Sequence, residues 1–162
     1  MMDRMIIKNV TVVLPEGILE NRNVLVKQGK IADLDYKVQA SEACVDGQGN
    51  YLLAGFIDLH VHGGGGADFM DESVDSFETA VRAHRDHGTT LLYPTAMAAT
   101  FEDLRTFLEV FQKFAATSEL GKLTPGVHLE GPYFFGANSN SRGAQKGDVL
   151  RYPPIRQANA AS

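Results

Sequence analysis

The 162-residue chain has a single cysteine, Cys44, and no tryptophan. One thiol excludes an internal disulfide framework and leaves Cys44 as a small buried or half-buried residue. No apolar run exceeds four residues, far short of the roughly 20 that a membrane-spanning helix needs. The opening Met1-Met2-Asp3-Arg4-Met5 lacks the apolar core of a secretory signal. Basic residues are in the minority: 15 Lys and Arg against 20 Asp and Glu give a formal charge of −5. With no basic cluster either, the chain is not built to bind nucleic acid. Its 44% hydrophobic and 22% charged residues exclude a disordered polymer. The expectation is a soluble, cytoplasmic protein of one domain, or one domain with a small second piece.

What is there changes character near residue 53. Residues 1–53 read as a small, strand-rich, sandwich-like unit. Met5-Ile6-Ile7 through Val10-Thr11-Val12-Val13-Leu14 is rich in β-branched residues and ends at Pro15-Glu16-Gly17. Asn23–Lys27 and Lys30–Leu34 flank Gln28-Gly29, a hairpin signal. Asp46-Gly47-Gln48-Gly49-Asn50 is a closing turn cluster.

Residues 54–162 alternate between strands and helices. Phe56–His60 is a short apolar strand. Ser73 is placed to cap a helix with Val74, Phe77, Val81 and His84 on one stripe and Gly88 at its end. Thr89–Tyr93 is the next strand, stopped by Pro94. Thr100 and Asp103 have capping-box spacing before a stripe of Leu104, Phe107, Leu108, Phe111 and Ala115. Pro125–Glu130 is a third strand, followed by a Gly/Ser/Asn-rich loop. This order predicts an α/β fold of parallel βαβ units with right-handed crossovers.

The chemistry gathers at strand ends. His60 and His62 alternate along a strand, so both imidazoles can face one cation. Glu130 closes the third strand, and in a parallel α/β barrel such carboxyl ends carry the active site. Two histidines and a carboxylate from different βα units make a candidate hydrolytic metal site. His128 shares the face of Glu130 and reads as a hydrogen-bonded or core histidine. Asp58 lies deeper on the face of His60 and reads as structural. His84 reads as packing, His87 as a helix-end cation, and Asp68 and Asp71 as loop acids. The Gly63–Gly66 run keeps side chains away from the strand end; as a phosphate cradle it lacks the P-loop lysine.

Gly55-Phe56-Ile57-Asp58-Leu59-His60-Val61-His62-Gly63 resembles the first-strand signature of the amidohydrolase superfamily, with Ala54 where a Pro is customary. His128-Leu129-Glu130-Gly131-Pro132-Tyr133 narrows the resemblance to N-acetylglucosamine-6-phosphate deacetylases, and Ser141-Arg142-Gly143-Ala144-Gln145 resembles their substrate loop. The resemblance implies a metal-dependent (β/α)8 TIM-like barrel, here incomplete at about three βα units, after the small β unit. It implies Glu130 as principal metal ligand, His60 and His62 for a second metal position, and Ala144 as a substrate contact. It also implies one or two divalent ions, zinc first and iron as an alternative, and a homodimer acting on a small amino-sugar phosphate. The implied reaction removes acetate from N-acetylglucosamine 6-phosphate, leaving glucosamine 6-phosphate. The family's further metal histidines, substrate histidine and catalytic Asp lie on later strands, whereas no histidine follows His128. The chain is therefore expected to be an amino-terminal portion, inactive by itself and prone to aggregate through an uncovered sheet. A dihydroorotase-like amidohydrolase acting on a cyclic amide, or a non-catalytic fragment binding metal or a partner, are the alternatives.

Overall fold

The computed structural model of the chain describes residues 3–133, together with Gly143 and Gln145. The chain divides into two units, with the boundary between Ala54 and Gly55.

In the first unit, β1 (Arg4–Leu14) and β2 (Gly17–Lys27) form an antiparallel hairpin. The second strand starts earlier than Asn23, because Ile18 and Leu19 find ladder partners in Val13 and Val12. Asn9 and Asn21 take φ of 55° and 52° where the ladder is irregular, a conformation asparagine tolerates better than most side chains. Gln28 and Gly29, at φ of 50° and 72°, make the turn into β3 (Lys30–Asp33); left-handed φ at both positions matches the twist of a two-residue hairpin. Two short strands, β4 (Val45–Asp46) and β5 (Tyr51–Leu52), both run parallel to β1. Among the described residues this unit is one five-stranded sheet, not two packed layers, and Val10, Val12 and Val24 are its buried centre.

An ionic knot ties the start of β1 to the segment that precedes β4. The Gln39 amide donates to Glu42 Oε2 at 2.9 Å, and Arg4 donates to Glu42 Oε1. These two contacts, the Gln39 amide first, hold the Glu42 carboxyl below the usual carboxylate range. A group depressed in the folded state stabilises above its unfolded pKa, and the benefit fades as pH falls through the folded value. The melting temperature of the wild-type chain should therefore drop as pH falls below about 5, and Glu42→Gln should flatten part of that drop. Identical acid limbs for both proteins would contradict the assignment.

The second unit begins with β6 (Phe56–Val61), followed by a tight hairpin of β7 (Gly63–Gly64) and β8 (Ala67–Asp68). Helix α1 (Val74–Asp86) is capped by Ser73, whose side chain accepts from the Ser76 amide. It buries Phe77, Ala80 and Val81 and ends at Gly88, where φ is 96°. Strand β9 runs from Thr89 to Ala96, straight through Pro94. The proline was expected to stop it, but proline removes only a donor, and its fixed φ is compatible with a strand where no ladder bond is required. Helix α2 (Phe101–Thr117) opens on a complete capping box between Thr100 and Asp103. Its buried residues are Leu104, Phe107 and Phe114; Ala115, expected on the stripe, is exposed. After a 3-10 turn (Glu119–Leu123), β10 is only His128–Leu129, shorter than the strand expected from Pro125.

Strands β10, β9 and β6 form a three-stranded parallel sheet in that order. Helices α1 and α2 are the crossovers, and the core between them and the sheet centres on Phe69, Phe77, Phe107, Phe114 and Leu92. Phe56, Ile57 and Leu59 of β6 remain exposed. Among the described residues no helix is long and apolar enough to cross a membrane.

Candidate metal centre

His60, near the end of β6, and His62, just beyond it, turn their rings toward each other at the strand end. Across the sheet, β10 pairs with β9 through His128↔Thr95 and Leu129↔Ala96, and the Glu130 amide continues the ladder by donating to Ala96 O at 2.9 Å. Glu130 is thereby aligned with the end of β6 although β9 lies between them.

The three side chains meet. His60 Nε2 and His62 Nε2 are 3.1 Å apart, and Glu130 Oε2 lies 3.3 Å from the first and 3.2 Å from the second. Donor atoms about 2.0–2.2 Å from one cation are separated by roughly 3.0–3.5 Å, depending on coordination geometry. The triangle fits one ion, with all three donors on one side of it and the other positions open. A closed structural site would need a fourth protein ligand. His60, His62 and Glu130 can hold a divalent metal, and they are the only such group of three among the described residues.

Hydrogen bonds fix this arrangement. His62 Nδ1–H donates to Thr95 O at 3.1 Å, which leaves Nε2 with a free lone pair, the form a metal requires. The His60 backbone N–H donates to Asp58 Oδ1 at 3.1 Å, so Asp58 serves the strand and not the cluster. His62 O accepts from the Phe69 amide at 2.9 Å, joining the site to the aromatic core. His128 Nδ1–H donates to Leu59 O at 3.3 Å, and its ring stands edge-on to His60 with centroids 4.8 Å apart. It is hydrogen-bonded, as one of its two readings had it, but exposed and therefore not a core residue.

The other candidates resolve into structural roles. His84 Nε2–H donates to Gly63 O at 3.0 Å and ties α1 to the glycine hairpin. A Cβ on Gly64 would come within 2.9 Å of that same His84 nitrogen, so close packing accounts for this glycine. His87 Nδ1–H donates to Ala83 O at 2.7 Å, at the helix end. Asp68 and Asp71 accept from the backbone amides of Met70 and Asp68 and shape their turn. Ala144 lies outside the described residues. Its neighbour Gln145 is buried, and its Oε1 accepts from the Ala98 amide at 2.7 Å. A cavity of about 330 Å³ opens beside Ala98, between Met97 and Ala99 and the Asp68–Glu72 turn.

Thr95 was not singled out in the sequence. It is fully buried, and both its carbonyl and its hydroxyl bond to the residues around the histidine pair. The only sequence signal was a threonine directly after a strand proline.

No family model matches the chain. It is 32% identical over 153 residues to an N-acetylglucosamine-6-phosphate deacetylase from Lysinibacillus sphaericus, covering 93% of this chain and 38% of that enzyme. The enzyme of the same name from Bacillus subtilis (strain 168) is 29% identical over 157 residues, covering 93% of this chain and 39% of its own length. The crystal structure of N-acetylglucosamine-6-phosphate deacetylase from Pasteurella multocida superposes with a TM-score of 0.79 at 27% identity, over 93% of this chain and 40% of that one. The chain thus spans about two-fifths of the length of the relatives it matches.

Proposed function

We propose that this chain, which is similar to the amino-terminal part of N-acetylglucosamine-6-phosphate deacetylases, supplies the first part of the metal centre of such an enzyme, in the opening strands of a TIM-like barrel. The supporting observation is the convergence of His60 Nε2, His62 Nε2 and Glu130 Oε2 within 3.1–3.3 Å at the carboxyl ends of β6 and β10. The reaction is hydrolysis of the acetamide of N-acetylglucosamine 6-phosphate to glucosamine 6-phosphate and acetate. Zinc as the ion, a homodimer and a cytoplasmic location belong to the same reading.

A bound divalent ion supplies Lewis acidity, polarising the amide carbonyl and lowering the pKa of the attacking water. This chain's residues provide the seat. Glu130 brings the negative charge that draws a cation between the two imidazoles, and Thr95 O keeps the His62 proton on Nδ1. Gly63, Gly64 and Gly65 let the segment after His62 pack closely on Ala67, His84 and Ala83. Ala144 adds a backbone contact to substrate. The proton must pass from the water to the departing amine, and the carboxylate for that step, like the further histidines of the family, comes from outside these residues. The cyclic-amide alternative is not favoured, because the matched relatives bear the names of amino-sugar phosphate deacetylases.

Zinc titration of the chain, followed by an acetate-release assay on N-acetylglucosamine 6-phosphate, tests this reading. The expected result is saturable zinc binding with no turnover. A chain that binds no zinc would refute the metal reading. Zinc-dependent acetate release would show that the groups supplied from outside are dispensable.

A further inference from the structure

We propose that Thr95 is a positioning residue for the histidine pair, its buried hydroxyl holding β6 in the irregular path that turns His60 and His62 toward one cation. The inference rests on the reading of His60, His62 and Glu130 as a metal seat. The ladder between β6 and β9 runs Ile57↔Leu91 and Asp58↔Leu92, then jumps to Val61↔Pro94. Three steps on β6 thus match two on β9, so β6 carries an extra residue beside the histidines. Bulges of this kind re-aim side chains and leave backbone groups without ladder partners.

Side chains on either side of the bulge take up those groups. The His60 N–H goes to Asp58 Oδ1, and the Val61 N–H goes to Thr95 Oγ1 at 3.1 Å. The same hydroxyl donates to Tyr93 O at 3.1 Å, so its donor and acceptor functions are both engaged within a fully buried residue. Thr95 also receives the His62 ring proton on its carbonyl, and it is the register partner of His128 on β10. One residue therefore touches the strand between the histidines, one histidine ring, and the strand that delivers Glu130.

Without the hydroxyl, the Val61 N–H loses its acceptor, and β6 can recover a partner only by slipping toward regular pairing. A one-residue slip carries His60 and His62 together to the opposite face, away from Glu130, and the three donors would no longer share an ion. Thr95→Val removes the hydroxyl at nearly constant shape, whereas Thr95→Ser keeps it.

The test is Co²⁺ titration of the full chain, read by visible absorption, with thermal melts as a check on folding. Thr95→Val is expected to bind Co²⁺ about 10–100-fold more weakly than wild type, the range seen when groups that orient ligands are lost. Its absorption band should be altered, and Thr95→Ser should behave like wild type. Equal affinity and an equal band in Thr95→Val would overturn the inference while leaving the metal reading intact. A wild-type chain that binds no Co²⁺ would overturn both.

Should Thr95→Val fail to fold, wild-type amide hydrogen exchange decides the matter. Coupling between sites is reciprocal, so a bond that favours the metal-ready strand must be strengthened by the ion. Val61 exchange is expected to slow on saturation with Co²⁺. Unchanged exchange at Val61 would overturn the proposal.

Discussion

Truncating Phe77 to alanine is expected to destabilise the second unit by about 3–5 kcal/mol, the usual cost of deleting a buried aromatic ring. Phe77 has no exposed surface, and four rings surround it. Phe69, Phe114, Phe107 and Phe111 have centroids 4.9, 5.4, 5.7 and 6.2 Å away. It sits where α1 meets α2, so no single element can shift to fill the void without disturbing the other. Phe77→Leu keeps most of the volume and should cost far less. The loss should also reach the metal centre, because Phe69 packs on Phe77 and its amide holds His62 O. Urea unfolding of the three proteins measures the effect; a change below about 1 kcal/mol for Phe77→Ala would mean that this cluster is not the organising core.

The second large effect is expected at Glu130. Glu130→Gln replaces a carboxylate by a neutral amide of nearly the same shape, so the side chain still reaches both imidazoles but no longer offers charge. Loss of outer hydrogen-bonding groups alone weakens metal sites by about 10–100-fold, and removing the anionic donor of this triangle should exceed that range. The fold should survive, because the strand is held through the Glu130 amide and not the side chain. Glu109→Gln, on the exposed face of α2, is the matched control and should leave affinity unchanged. Calorimetric titration with zinc checks both variants. If Glu130→Gln retained wild-type affinity while the control behaved as expected, the carboxylate would not be a ligand.

Much of this architecture could be read from residues in order. Ser73 and the Thr100/Asp103 pair announce the two helices, because a cap is a local hydrogen bond written into neighbouring positions. Gln28-Gly29 announces its hairpin for the same reason. The errors fall where a second segment decides. Pro94 was expected to end β9, yet its partner across the sheet is the irregular stretch of β6, where its missing N–H is not needed. Ala115 was placed on the buried stripe and Phe114 was not, although Phe114 packs against Phe77 of α1 with ring centroids 5.4 Å apart.

The metal centre divides in the same way. His60 and His62 were legible from alternation, and Glu130 from its position at a strand end. Their separation of about 3 Å was not legible, because it depends on how the sheet bends over β9. The part played by Thr95 was invisible, since its bonds to Val61 and His62 reach segments 34 and 33 residues away in the chain.

The hydrogen bond from His128 to Leu59 O joins positions 69 residues apart, and Glu130 comes to the histidines over a similar stretch of chain. Closing so long a loop carries an entropic cost that local helices do not face. Contacts of that range also set the pace at which a chain reaches its final topology. Helices α1 and α2 can form and meet before β10 arrives, so the ligand triangle is completed late. The denatured chain keeps His60 and His62 as near neighbours but holds Glu130 far away on average. It therefore presents an incomplete chelate, and an ion that requires all three donors favours the folded chain over the denatured one.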